Sequence, residues 1–390
     1  MTRVMYVIDS LAPGGSERSL VEMLPHLMSR GVDPVVVCLS TTEETFEPLV
    51  RSLGVRLVTL AARSRLGAIR TLRALFRRER PDLIHTTLFE SDLAGRLGAA
   101  GSGIPVLTTL AGLTYEPERL DNPRVRAARL RAAQAIDGWT ARRLTRRLHA
   151  VSETVKRSAV KSLKVDPDLV VVIPRGRDPD LLGEPSPARH RAVRERLGIP
   201  QDAEVVLAAG RLEQPKGHRY LVEAAALLHR PRLRVLLAGR AGHESGALRA
   251  LVSGLDLEER VSLLGHRTDV PDLLAATDVF VLPSLLEGAA GALIEAMAMA
   301  APIAASDLPA TRETLRDEGS ALLIPPRDPA ALAAAIERLL EDAPLRARLG
   351  AEARSVFRRR FTIDAITERL VDLYRQILRG RRPRMQRASS

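Results

Sequence analysis

The sequence predicts an α/β protein made of two Rossmann-like domains, each a parallel sheet wrapped by helices. Short apolar runs alternate with longer stretches of helical periodicity, the sequence form of successive β-α-β units. The alternation comes as two series, with Pro, Gly and charged residues clustered between them from Pro174 to Pro187. The length, 390 residues, is enough for two domains with full hydrophobic cores.

The first series has strand candidates at 4–8, 35–39, 55–60, 83–86, 106–110, 149–152 and 170–173. The second has them at 205–209, 233–238, 261–263, 279–282, 303–305 and 322–324. A helix is expected from about Ser16 to Ser29, stopped by Gly31. After Pro329 the chain reads as helical to Leu378, with interruptions near Pro344 and at Phe361-Thr362. Residues 379–390, with five Arg and no acid, read as a basic disordered tail.

Composition narrows the function classes. Hydrophobic residues make up 45% of the chain, and no run approaches the roughly 20 apolar residues of a membrane span. The first residues enter a strand pattern directly, so no signal peptide is expected. One cysteine, Cys38, lies in an apolar run; it is expected in the core of a cytoplasmic protein. The net charge of +12 is uneven: residues 1–178 hold 28 basic against 19 acidic side chains, residues 179–378 hold 26 against 28. A basic half suits nucleic acid, an anionic membrane or an acidic substrate. Aromatic residues are only 3% of the chain, which argues against nucleic acid read by base stacking.

Two stretches carry most of the basic excess, Arg63 to Arg80 and Arg124 to Arg147. In the first, Leu66, Ile69, Leu72 and Leu75-Phe76 fall at helical spacing beside Arg70, Arg73, Arg77 and Arg78. Such a helix either covers a sheet with a solvated outer face or lies on an anionic bilayer.

The chemistry-bearing stretches follow strands. The loop Pro13-Gly14-Gly15-Ser16-Glu17 places a glycine pair at a helix N-terminus, a phosphate-approach geometry without the dinucleotide G-x-G-x-x-G spacing. Gly210-Arg211-Leu212-Glu213-Gln214-Pro215-Lys216-Gly217 follows strand 205–209; an Arg fork and a Lys point charge there suit a diphosphate. No Walker loop occurs. Gly265-His266-Arg267 can border a base through backbone groups or be a plain loop. In the stretch 283–297, Glu287 and Glu295 stand eight positions apart around Gly288, Ala289, Ala290 and Gly291. The backbone N–H groups there suit phosphate and the carboxylates suit sugar hydroxyls. Asp166-Pro167-Asp168 and Asp178-Pro179-Asp180 spell D-x-D, but a central Pro in a linker favours turns over metal sites.

Together these stretches resemble the retaining glycosyltransferases of family 4, the group 1 enzymes with the GT-B fold. The resemblance spans nearly the whole chain. It rests on Gly210-Arg211…Lys216-Gly217, the E-x7-E pair Glu287…Glu295, Gly265-His266-Arg267, Val151-Ser152-Glu153 and the Gly14-Gly15 loop. It implies two Rossmann-like domains facing each other across a cleft: residues 1–176 on the acceptor side, 177–361 on the donor side, and a helix of about 362–378 returning to the first. It implies a nucleotide-sugar donor held by Arg211, Lys216, Arg267, Gly288, Ala289, Ala290, Gly291 and Glu295, with Gly14 and Gly15 approaching its phosphates. Glu295 is expected on the ribose and Glu287 on the transferred sugar, with Glu287, Arg211 and Lys216 the catalytic set. No cofactor and no metal are expected.

Three departures from the family pattern stand out. His-Gly after strand 106–110 reads Ala111-Gly112. H-x-H reads His85-Thr86-Thr87, which leaves His85 and Thr87 as the acceptor-side expectation. Asn-Gly-Val-Asp reads Arg175-Gly176-Arg177-Asp178. The function expected is transfer of a hexose to an acceptor hydroxyl, in polysaccharide or glycolipid synthesis. The alternative is a non-catalytic sugar-nucleotide- or polysaccharide-binding protein that kept the fold, favoured by Ala111. The basic first half points to a lipid-linked acceptor and peripheral contact at the inner face of the cell membrane.

Overall fold

The computed structural model of the chain describes residues 1–60, 64–121 and 125–380. It divides into two compact units, one of Met1–Gly176 with the chain from Ile363 onward, the other Arg177–Thr362. Arg63, Arg124 and residues 381–390, which the sequence placed in basic stretches and tail, lie outside the described residues.

The first unit runs β1 (Thr2–Ile8), α1 (Gly15–Ser29), β2 (Val32–Cys38), α2 (Glu47–Ser52), β3 (Arg56–Thr59), α3 (Arg65–Glu79), β4 (Leu83–Thr87), α4 (Phe89–Ala99), β5 (Val106–Leu110), α5 (Ala127–Leu144), β6 (Arg147–Ala150), α6 (Glu153–Leu163) and β7 (Val170–Val172). The second runs α7 (Pro179–Leu182), α8 (Pro187–Leu197), β8 (Glu204–Ala209), α9 (His218–Leu227), β9 (Leu233–Ala238), α10 (Ser245–Gly254), β10 (Val261–Gly265), α11 (Val270–Ala275), β11 (Val279–Leu282), α12 (Gly291–Ala298), β12 (Ile303–Ser306), α13 (Pro309–Arg312), β13 (Leu322–Ile324), α14 (Pro329–Glu341) and α15 (Ala343–Arg360). The last helix, α16 (Ile363–Arg379), belongs to the first unit. Arg379 therefore ends a helix rather than opening a tail.

Both sheets are parallel. Among the described residues the strand orders are β3-β2-β1-β4-β5-β6-β7 and β10-β9-β8-β11-β12-β13. Strand composition explains this. Val35-Val36-Val37 and Val279-Phe280-Val281-Leu282 are buried throughout, as strands covered on both faces must be. Side chains alternate between two apolar layers: Val4, Tyr6 and Ile8 enter one core cluster, Met5 and Val7 the other. Val205 and Leu207 against Val206 and Ala208 repeat the pattern in the second unit. Cys38 is a core residue, and burial pushes its thiol up to about 12.

Helix starts are set by short polar caps. Ser64, Ser152, Ser186 and Asp328 each accept a backbone N–H three residues on. Asp342 does the same for Leu345 and follows directly on α14, so the helical run breaks there, with Pro344 accommodated in the first turn of α15. The cap at Ser152 also explains why β6 is Arg147–Ala150 rather than 149–152: the chain must leave the sheet before its cap, and Leu107 pairs with Arg147. In both D-x-D stretches the first Asp accepts the second one's N–H at 2.9 Å, the turn geometry expected of them.

No described helix is long and apolar enough to cross a membrane. In each sheet the strand order reverses at one place, β1/β4 and β8/β11. Open α/β sheets bind ligands outside the carboxyl ends of the strands at such a switch point.

Candidate functional site

The switch point of the second unit is where the charged motifs lie. The loop after β8 is 210–217 and the loop after β11 is 283–290. They are stitched together by backbone: Leu285 N–H donates to the Pro215 carbonyl at 2.8 Å. Gly217 makes the fit possible. It has φ +64°, and a Cβ there would sit 2.0 Å from the Pro283 oxygen. Gly239 likewise lets β9 approach, since its Cβ would lie 1.8 Å from the Gly210 oxygen.

This packing brings Lys216 onto Glu287. Lys216 Nζ donates to Glu287 Oε1 at 2.5 Å, and Ser284 Oγ donates to the same oxygen at 2.8 Å. Glu287 is 7% exposed, so its charge is held by these partners rather than by water. Arg211 is different. It is exposed and its guanidinium makes no ion pair with a described residue, leaving a fork of donors at the same edge. Gly288 is buried, while Ala289, Ala290 and Gly291 are half-buried at the start of α12. Ala290 caps that helix without any side-chain hydrogen bond, so the N-cap residue itself satisfies none of the N–H groups there.

Glu295 departs from expectation. Its carboxylate is buried and accepts from Arg177 Nε at 2.8 Å, with 2% and 4% of the two side chains exposed. It is not open to ribose hydroxyls. The guanidinium also lies against the first turn of α12: a Cβ on Gly291 would be 2.3 Å from Arg177 Nη2. Arg177 is itself fixed, its N–H donating to the Phe361 carbonyl at 2.9 Å. The unusual Arg177 visible in the sequence therefore occupies Glu295. Arg267 is also engaged, in a bidentate pair with Asp269 at 2.7 and 2.5 Å. That pairing raises its pKa.

Two residues at this edge escaped sequence reasoning. Ser284 lay inside the quoted stretch, but nothing marked its hydroxyl as a partner of Glu287. His218 opens α9 and is 4% exposed, with Nε2 3.2 Å from the Gly210 carbonyl. Burial pushes its pKa down to about 4, so the ring is neutral and fixes the turn into α9.

The first unit treats its own edge differently. His85 on β4 is buried at 4%. Its Nδ1 meets Tyr374 Oη of α16 at 2.8 Å and its Nε2 meets Thr109 Oγ1 at 2.6 Å. Tyr374 Oη continues to Tyr6 Oη at 2.9 Å, and Thr109 continues to His149 Nδ1 at 3.0 Å. Desolvation pushes His85 down to about 3 and His149 to about 4. The expected acceptor-side role of His85 is therefore corrected: both ring nitrogens serve a buried network that seats α16 on the sheet. Thr87 ends β4 half-buried. The next residue, Leu88, has φ +80° and ψ 153°, a conformation costly for a non-glycine and typical of functional turns.

At the same edge, Arg175 clamps the glycine loop. Its Nη1 donates to the Gly15 carbonyl at 2.5 Å, and its Nη2 donates to the Ala111 carbonyl at 3.1 Å and Ser16 Oγ at 3.3 Å. Gly14 lies under Glu17, whose carboxylate a Cβ would meet at 2.4 Å. Arg175 thus joins two of the positions at which the sequence departs from the family pattern.

Two parallel Rossmann-like units, one with cations at its switch point, are the arrangement of an α/β protein that binds an anionic ligand at the carboxyl ends of its strands. The comparisons agree. Residues 190–356 match the family described as Glycosyl transferases group 1, and residues 13–181 match Glycosyltransferase Family 4. A D-inositol 3-phosphate glycosyltransferase of Xylanimonas cellulosilytica is 30% identical, over 77% of this chain and 73% of that one. A UDP-Gal:alpha-D-GlcNAc-diphosphoundecaprenol alpha-1,3-galactosyltransferase of Escherichia coli is 28% identical, over 78% of each. The structure of Anabaena Alr3699/HepE in complex with UDP-glucose superposes with a TM-score of 0.85 at 22% identity, over 96% of this chain and 100% of that one. The chain belongs to the group 1, family 4 glycosyltransferases, and its fold is GT-B.

Proposed function

We propose that the chain moves a hexose, with retention of anomeric configuration, from a nucleoside diphosphate donor to an acceptor hydroxyl. The observation that carries this reading is the convergence of Arg211, Lys216 and the start of α12 at one switch point. The relatives support the donor class, one named for UDP-Gal and one structure holding UDP-glucose.

Cleavage of the bond from the anomeric carbon to the diphosphate oxygen leaves its electron pair on that oxygen. Charge therefore grows on the diphosphate, where Arg211, Lys216 and the N–H groups at the start of α12 meet it. The acceptor oxygen bonds to the anomeric carbon on the same face, and its proton passes to the departing diphosphate oxygen. No protein base is required. Glu287 holds Lys216 in place through their 2.5 Å contact and lies beside the sugar. The cations supply the charge that a metal supplies elsewhere, so this reading assigns no metal. Arg177 and Glu295 act as a pair that sets the first turn of α12. A lipid-linked acceptor fits the basic first unit and the diphosphoundecaprenol acceptor named for the E. coli relative.

A thermal-shift screen of nucleotide sugars identifies the donor, since saturation at about 100 times Kd adds roughly 2.7 kcal/mol. With that donor, Glu287→Ala is expected to lose about 10²-fold in turnover, because Lys216 loses the contact that places it, while keeping its fold, and NMR of the product should show the donor's anomeric configuration. Inversion would remove the retaining assignment. Donor binding without transfer or hydrolysis would favour a non-catalytic binding protein.

A further inference from the structure

We propose that the outer face of α5 is a docking surface for an anionic lipid bilayer. The helix turns Ala128, Arg129, Arg131, Ala132, Ala135, Ile136, Trp139, Arg142 and Arg143 outward, all of them exposed. At 3.6 residues per turn these form one continuous face. Its centre is apolar: Ile136 and Trp139, three apart, are each 51% exposed over small alanines. Arginines flank the centre on both sides.

The face carries no carboxylate. Asp137, the acid of this helix, points inward, where Arg96 Nη1 donates to it at 2.6 Å and Tyr115 Oη at 2.8 Å. Arg129, Arg131 and Arg143 make no ion pair with a described residue, while Arg142 donates to the Leu163 carbonyl. Trp139 is the chain's sole tryptophan, and a large aromatic left outward in the middle of a helix has no packing explanation within the unit. An amphipathic ring beside aliphatic and cationic neighbours suits the headgroup boundary, where the ring enters the acyl margin and the arginines meet lipid phosphates.

The other basic helix, α3, does not fit the same role. Its aromatic residue, Phe76, is buried, and among its outward arginines Arg65 pairs with Glu90 and Arg78 with Glu79. A second copy of the chain is a poor occupant for α5, because a twofold contact would set arginines against arginines without acids to answer them. A single exposed ring is a poor platform for successive bases.

This inference deepens the lipid-linked acceptor reading but stands on α5 alone. Trp139 makes the test site-specific, because tryptophan emission comes from this face. The full-length protein is mixed with vesicles of phosphatidylcholine and phosphatidylglycerol in equal parts, and with vesicles of phosphatidylcholine only. The expected result is a blue shift and co-sedimentation with the anionic vesicles alone. Replacing Arg129, Arg131 and Arg143 by Gln should lower partitioning about a hundredfold, from roughly fivefold per cation near an anionic surface. Trp139→Ala, read by co-sedimentation, should also weaken it. Donor binding measured on the same samples reports folding and the transferase reading independently, so either reading can fail without the other. The inference is overturned by no co-sedimentation, or by binding that survives the α5 substitutions. A dimer in sedimentation velocity abolished by Trp139→Ala would also overturn it, as would tighter binding to an oligonucleotide than to the vesicles.

Discussion

The two units share a topology and use it in opposite ways at their switch points. In the second, charged side chains from separate loops meet: Lys216 on Glu287, Arg177 on Glu295, and Arg211 left exposed. In the first, His85 of β4, Thr109 of β5 and His149 of β6 form a neutral network with one another and with Tyr374 of α16, and the cation Arg175 is tied down on the glycine loop. The difference is one of chemistry rather than fold. A ligand edge keeps charge at its surface with loops holding it, whereas an edge that must anchor a returning helix spends its hydrogen-bonding groups on that helix. The first unit's basic character moves to its outer helices instead.

The largest effect that would sharpen this contrast concerns Arg177. Replacing it by Ala leaves Glu295 buried without its cation, and the expected cost is about 3–5 kcal/mol of stability. A double replacement, Arg177→Met with Glu295→Leu, should recover most of that while still impairing donor binding, because α12 loses its fixed first turn. Urea unfolding beside donor titration separates the two consequences. An Arg177→Ala protein of unchanged stability would show that the pair does not hold α12.

A smaller effect tests the neutrality of the first unit's network. His85 and His149 have folded pKa values of about 3 and 4, below the 6.5 of a free imidazole. The stabilising neutral form is fully present above about pH 6.5 and its contribution is lost as pH falls toward 4. Each buried ring then steepens the acid limb by up to about 1.4 kcal/mol per pH unit. His149→Gln should flatten the limb by one proton's worth in thermal unfolding between pH 7 and 4.5. An unchanged limb would mean that His149 is already solvated or charged in the folded protein.

Much of this was legible in the sequence, and the failures share a cause. Every strand was visible because parallel strands carry apolar runs; β6 was displaced by a serine cap whose effect depends on three-dimensional geometry, and β2 starts at Val32, before the apolar run from 35 that marked it. The loops at 210–217 and 283–291 were legible because glycines, cations and acids follow strand ends in fixed order. What could not be read was which charges pair. Glu295 and Arg177 lie 118 positions apart, and nothing local indicates that a buried arginine takes the carboxylate expected to meet ribose. The pairing of Arg267 with Asp269 was within reach, two residues apart, but an exposed and a paired arginine look alike in sequence. His85 was misplaced for a similar reason: its partner Tyr374 comes from the last helix, 289 positions on.

The central claim is that the second unit's switch point binds the donor diphosphate through Arg211 and Lys216. Titration of a nucleoside diphosphate into the wild type, Arg211→Ala and Lys216→Ala tests it most directly. Each charge-assisted bond is worth roughly 1.5–3 kcal/mol, so each substitution should weaken binding about tenfold or more; Arg211→Ala should leave thermal stability little changed, whereas Lys216→Ala also strips buried Glu287 of its cation and should lower it. Wild-type affinity in both variants would place the diphosphate elsewhere and contradict the account.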